Sequence, residues 1–300
     1  AEERCDIYCT GSNSRLLSGE LATYLGGRYI QFRIHPLGYD EFLRFHGLSN
    51  TAGALRRYLR IGGMPYLASL PPEGPGGREA LADEYLKNVY ESILFRDVIL
   101  RENVRNLRFL ENLTAYLADN TGSLFSASNI SKYLKSQRIA MPVQTVINYL
   151  GALERSFFVN SVQRMDIRGL KIFEIGEKYY FEDPGLRNIL ARNPLPLDIA
   201  KLVEQAVYLF LVQREYTVHV GKTDGGEVDF VAERQGDRRY VQAAYRIGDA
   251  ETYHREFGGL EGIRDNFPKY VVTLDEDILP VNPKGIRCIL LRDFLNLPTI

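Results

Sequence analysis

A change of hydrophobic period between residues 107 and 181 constrains this chain more than any other feature. Leu107, Leu110, Leu113 and Leu117 recur at steps of three and four, the spacing of one helix face. Helical spacing already holds from residue 81, which predicts at least two helices over 81–118. Two shorter helical patterns follow at 128–134 and 142–150, opened by polar residues and by Pro142 respectively. Two extended stretches, 157–166 and 171–181, then meet at Arg168 and Gly169. Helix, turn, helix and hairpin in that order predict a winged-helix module over 119–182.

After Asp183, Pro184 and Gly185 the pattern changes to one helix through Ile199, Leu202, Val203, Ala206 and Phe210. Strands are predicted at 216–220, 227–233 and 239–245, a polar helix at 250–263, and strands at 270–274 and 286–291. These make an α/β domain over 183–300. Upstream, a short strand ends near Cys9, a helix holds Leu21 and Leu25, and a second strand covers 29–34, which together predict the end of an α/β sheet over 1–34. A helical region over 35–118 runs from Pro36 through Leu55, Tyr58 and Leu59, turns at 62–65, and is broken by the Pro/Gly loop at 71–77. The expected fold class is α/β and multidomain.

With 300 residues, 45% of them apolar and 25% charged, the chain has material for two or three globular units. Cys5, Cys9 and Cys288 are odd in number and form no CxxC pair, which fits a reducing cytosol. Four scattered histidines give no zinc spacing. No apolar run reaches the roughly 18 residues of a membrane span and no signal-peptide pattern occurs, so a cytoplasmic location without membrane contact is expected. A net charge of −1 argues against a uniformly basic nucleic-acid binder.

The run from Asp6 to Phe45, with Thr10-Gly11-Ser12-Asn13-Ser14, then Gly27-Arg28-Tyr29-Ile30 and Pro36 to Leu43, resembles the last part of bacterial and archaeal AAA-type ATPases. Those proteins carry a C-terminal domain of unknown function, number 4143. Residues 129–134, 145–150 and 178–188 extend the resemblance. It implies that Asn13 is a sensor residue near the γ-phosphate and that Arg28 faces a phosphate or a subunit. It also implies ATP and magnesium in the full-length protein. No G-x-x-x-x-G-K-[ST] loop or Walker B strand occurs here, so this chain alone lacks the means to hydrolyse ATP.

On the predicted second helix of the winged module Val143, Val146, Ile147, Leu150 and Leu153 make an apolar stripe, and Gln144, Thr145, Asn148 and Arg155 fall away from it. Gln144, Thr145 and Asn148 are candidates for base-edge contacts. Lys132, Lys135, Arg138, Arg168 and Lys171 are candidates for phosphates. Residues 121–180 hold eight Lys/Arg against four Asp/Glu, a modest basic excess that a protein-contact module shares.

In the last domain Glu204, Asp229 and Gln242 follow one another on a helix and two strands, an order that resembles the PD-(D/E)xK nuclease superfamily. The resemblance implies carboxylates that hold magnesium, here Glu204 and Asp229, and a lysine two residues past the second strand's carboxylate. Gln242 stands where that carboxylate would be, and Ala244 where the lysine would be, while Arg246 is too basic to accept a proton. The expectation is a degenerate site in a module that binds DNA or a protein partner. The alternatives are an active metal-dependent DNA nuclease using Glu204, Glu227 and Asp229, and a module that binds protein only.

Overall fold

Polar caps and apolar stripes place the helices of the first half. The computed structural model describes residues 7–12, 26, 28–71, 77–102, 104, 106–139, 141–192, 195–277, 281–282 and 284–300. It has α1 at Tyr39–His46 and α2 at Ala52–Ile61. Gly47, in the left-handed region at φ 61°, ends α1, and Thr51 caps α2 by accepting from the Ala54 N–H, so the single helical region expected here is two helices. α3 (Gly77–Ser92) runs into a π-helical segment, Ile93–Leu100, and α4 (Leu107–Asp119) starts behind an Asn106 cap. α5 is Ala127–Ser136 and α6 is Val143–Arg155. On α6 the buried stripe is Val146, Tyr149, Leu150 and Leu153, whereas Val143 and Ile147 are 40% and 47% exposed. Ile147 lies about 100° around the helix from Val146 and Val143 sits in the first turn, so both fall at the margin of the packed face.

β1 (Val159–Asp166) and β2 (Lys171–Phe181) form an antiparallel hairpin. Phe125 exchanges backbone hydrogen bonds with Glu177 and covers the outer edge of β2. Then come α7 (Pro184–Leu190), α8 (Leu195–Gln213), β3 (Thr217–Thr223), β4 (Gly226–Arg234) and β5 (Asp237–Ala244). α9 (Ala250–Glu261), β6 (Lys269–Thr273), β7 (Arg287–Leu290) and α10 (Leu291–Phe294) complete the described elements. All seven strands form one mixed sheet in the order β2-β1-β3-β4-β5-β6-β7. The hairpin expected as a wing is therefore continuous with the α/β strands, joined through parallel pairing of Arg164–Asp166 with β3. Strand alternation sends Phe230, Ala232 and Val241 toward the apolar residues of α8, and Val231 and Tyr240 toward Phe257 and Leu260 of α9. The two helices thus cover opposite faces of the sheet.

Two strands predicted near the N-terminal end are not present among the described residues. Residues 7–11 and 28–35 belong to no strand, and Ile7, Tyr8, Ile30, Phe32 and Ile34 are each more than three-quarters exposed. A strand needs a neighbour to take its backbone N–H and C=O groups, and no described strand lies alongside. Ser12 donates from its hydroxyl to Asp97 in the π-helical segment at 2.9 Å, and Arg33 and His35 are held by Glu182. Asn13 and the helix expected around Leu21 and Leu25 lie outside the described residues.

The segment 182–188 ties the helical half to the sheet. The sequence reads Asp183-Pro184-Gly185 as a break, but Asp183 is a cap and Pro184 the first residue of α7. The buried Asp183 carboxylate accepts from the Leu186 N–H at 3.0 Å and from the Gly63 N–H at 2.7 Å. Gly62, at φ 76°, leaves no room for a side chain, since a Cβ would stand 2.1 Å from that carboxylate. Asn188 donates to the carbonyls of Leu59 and Arg60 at the end of α2, and Arg187 donates to Ala118 O at the end of α4. Burial without a cationic partner pushes the Asp183 carboxyl up to about 6 against the backbone donors that lower it. Between about pH 4 and 6 the folded protein holds a proton that the unfolded chain releases. The Asp183 contribution to stability is therefore greatest below this window and falls by up to about 3 kcal/mol as pH rises through it. Thermal melts across pH 4–7 are expected to fall more steeply with rising pH in the wild type than in Asp183→Asn, where the raised Glu204 still contributes; equal slopes would contradict the assignment.

Candidate functional site

β2, α8 and β4 converge on a cluster of buried charge. Lys178 and Tyr180 alternate onto the inner face of β2, between residues that are themselves buried. The Lys178 ammonium donates to Glu204 Oε1 of α8 at 2.8 Å, contacts Glu227 Oε1 of β4 at 2.8 Å and donates to Asp229 Oδ1 at 3.2 Å. Its side chain is only 4% exposed. The Tyr180 hydroxyl donates to the same Glu204 oxygen at 2.7 Å, and the Tyr180 ring stacks on Tyr208 of α8 at 4.5 Å. Gly122, before α5, lies over the Glu204 carboxylate so closely that a Cβ there would stand 2.8 Å from Oε2.

A bulge aims Asp229. His219 pairs with Val231 and Gly221 with Val228, so β4 has one residue more than β3 between these points. The second Asp229 oxygen accepts from the Ala243 N–H at 3.0 Å. Gln242 touches Asp229 only through the backbone: its Oε1 accepts from the Asp229 N–H at 3.1 Å, and its Nε2 donates to Glu256 of α9 at 3.1 Å. Of the three residues picked out by sequence order, Glu204 and Asp229 are brought together on Lys178, while the Gln242 amide turns to the α9 face.

Burial alone would push Lys178 down, but the charges of Glu204, Asp229 and Glu227 outweigh it and hold the ammonium well above its ordinary value. Glu204 is pushed up to about 7, by burial and then by the negative charge of Asp229, with Lys178 and Tyr180 pulling the other way. A lysine so held stays protonated at neutral pH and cannot take a proton from water. The residues present do not fit a divalent ion: the ammonium fills the space among the three carboxylates. Among the described residues no group of three or more His, Cys, Asp and Glu could hold a metal ion. Surface cavities of about 570 and 540 Å³ open elsewhere, around Asp40 to Asn50 and around Glu215 to Arg238, and no cluster residue lines either.

The other residues marked in the sequence sit apart from this cluster. Lys132 and Lys135 are exposed on α5, which packs on α6, where Gln144 and Asn148 are exposed and hydrogen-bonded to each other at 3.2 Å. Thr145 is half-buried. Arg168 and Lys171 are exposed at the hairpin turn, and Arg168 is paired with Asp224 of the β3–β4 turn. Arg28 is exposed and Asn13 is outside the described residues. Lys178, Tyr180 and Glu256 were not singled out by sequence order. The signal for Lys178 is a lysine at an inward position of an otherwise apolar strand end, Tyr179-Tyr180-Phe181.

Residues 1–43 match the AAA domain family, and residues 52–196 match a family described as a domain of unknown function, number 8612. The AAA relationship read from the first residues is thus supported, while the number matched over the middle differs from the one expected. An uncharacterized protein of Haemophilus influenzae is 35% identical over 272 residues, covering 89% of this chain and 65% of the relative. An uncharacterized protein of Methanocaldococcus jannaschii is 24% identical over 296 residues, covering 91% and 63%. The chain spans just under two thirds of the length of these curated relatives. No solved structure matches it significantly. No described helix is long and apolar enough to cross a membrane. The chain has a mixed α/β fold, and its first 43 residues are similar to the AAA domain family.

Proposed function

We propose that this chain is the C-terminal part of an AAA-type ATP-binding protein, in which a winged-helix segment engages duplex DNA and a nuclease-like module holds without cutting. The order α4, Phe125 bridge, α5, α6 and hairpin supports the winged helix, and α8-β3-β4-β5-α9-β6 with Glu204 and Asp229 supports the nuclease-like module. The observation that carries the DNA reading is the exposure of Gln144 and Asn148 on α6 and of Lys132 and Lys135 on α5, the helix packed against it. Amides of this kind reach base edges in the major groove while lysines hold phosphates. ATP and magnesium belong to the full-length protein. Arg28 is exposed and Asn13 lies outside the described residues, so neither carries a nucleotide step here.

Fluorescence anisotropy with a labelled duplex at low salt tests this reading. The wild type is expected to bind with a steep salt dependence, and Lys132→Glu with Lys135→Glu to weaken it about tenfold or more and to reduce the log–log salt slope by about 2. Val143 and Ile147 favour a second reading, because they put exposed apolar surface on the same helix. Absence of duplex binding at low salt would remove the DNA reading and leave α6 as a protein-contact face.

A further inference from the structure

The order of Glu204 and Asp229 implies a divalent metal, and the residues around them do not fit one. We infer that Lys178 is the resident cation of this site: its ammonium, tethered to β2, stands where the metal would stand and clamps the β1–β2 hairpin to α8 and β4. Divalent ions need carboxylate oxygens at about 2.0–2.6 Å, all turned to one centre. Here Glu204 Oε1, Glu227 Oε1 and Asp229 Oδ1 are turned to one centre, and that centre is Lys178 Nζ, at 2.8, 2.8 and 3.2 Å. An ion bound to those oxygens would overlap the ammonium.

Three neighbours favour the lysine over a metal. Tyr180, fixed on the same strand by stacking on Tyr208, uses its hydroxyl proton on the Glu204 oxygen that also accepts from Lys178. Gln242, at the position of the further metal-binding carboxylate, is committed to the Asp229 backbone and to Glu256. Gly122 closes the Glu204 side with backbone, leaving little room for the water molecules that a magnesium ion keeps. The ammonium also links three parts of the chain: hairpin, helix and bulged strand. Its position does not depend on whether α6 binds DNA.

The test is Mn²⁺ binding, read by electron paramagnetic resonance and by thermal melts with and without MnCl₂. It uses the wild type, Asp229→Asn, Lys178→Ala, Lys178→Gln, and Lys178→Ala combined with Asp229→Asn. The wild type is expected to bind no Mn²⁺ at a site that Asp229→Asn removes, and its melting temperature to be indifferent to the ion. Lys178→Ala or Lys178→Gln is expected to gain one site about tenfold or more tighter than any wild-type binding and to melt higher with Mn²⁺, both effects vanishing when Asp229→Asn is added. Wild-type Mn²⁺ binding that Asp229→Asn abolishes would overturn the inference. So would folded Lys178 variants that bind no better than the wild type, or variants that stay unfolded even in millimolar MnCl₂.

Discussion

Replacing Lys178 by methionine is expected to destabilise the protein by about 3–5 kcal/mol in metal-free urea unfolding. Methionine keeps much of the shape of the lysine stem, so the loss isolates the charge. Without the ammonium, Glu204 and Asp229 remain nearly buried beside each other with no cation, and their repulsion and desolvation are no longer offset. The three carboxylates differ in what they contribute. Glu227 is 33% exposed at its side chain, so water screens its contact, and Glu227→Gln should cost about 1 kcal/mol or less. A loss of less than about 1 kcal/mol in Lys178→Met would mean that the ammonium does not neutralise the cluster.

An effect of similar size is expected at Arg187, which carries no functional assignment. Its guanidinium is fully buried, donates to Ala118 O at 2.8 Å through Nε, and pairs with the buried Asp198 and with Asn188. Arg187→Met leaves Asp198 with the partly exposed Lys201 and removes the shorter of the two hydrogen bonds to Ala118 O, the Thr121 hydroxyl remaining at 3.3 Å, for an expected cost of about 3–5 kcal/mol. Adding Asp198→Asn should recover part of this, because the buried negative charge goes with it. Equal stability of the single and double variants would show that Asp198 is not the source of the loss.

Much of the fold is legible in the sequence because it rests on local periods. The hairpin at 159–181, the α5–α6 pair and the strands after residue 216 fall within a few residues of where apolar spacing puts them. The misreadings share a cause, dependence on partners distant along the chain. Residues 29–34 have the composition of a strand, but no described strand lies beside them. Val143 and Ile147 match the helical period of α6, yet the surface that α6 packs against does not extend to them. Glu204 and Asp229 were visible as an ordered pair, whereas their counter-charge lies on a hairpin that the sequence assigns to a different module, 51 positions before Asp229. Looking for the lysine at position 244 finds Ala244. The sheet supplies one at 178 instead, because β1 and β2 join β3 rather than standing free.

The carboxylate cluster is closed by its own lysine, which under the proposed nuclease-like reading leaves no place for the metal that cleavage needs. Incubating the purified chain with supercoiled and linear DNA in magnesium and in manganese tests it most directly. No cleavage above a metal-free control is predicted, in the wild type and in Asp229→Ala alike. Metal-dependent cleavage by the wild type that disappears in Asp229→Ala would contradict it.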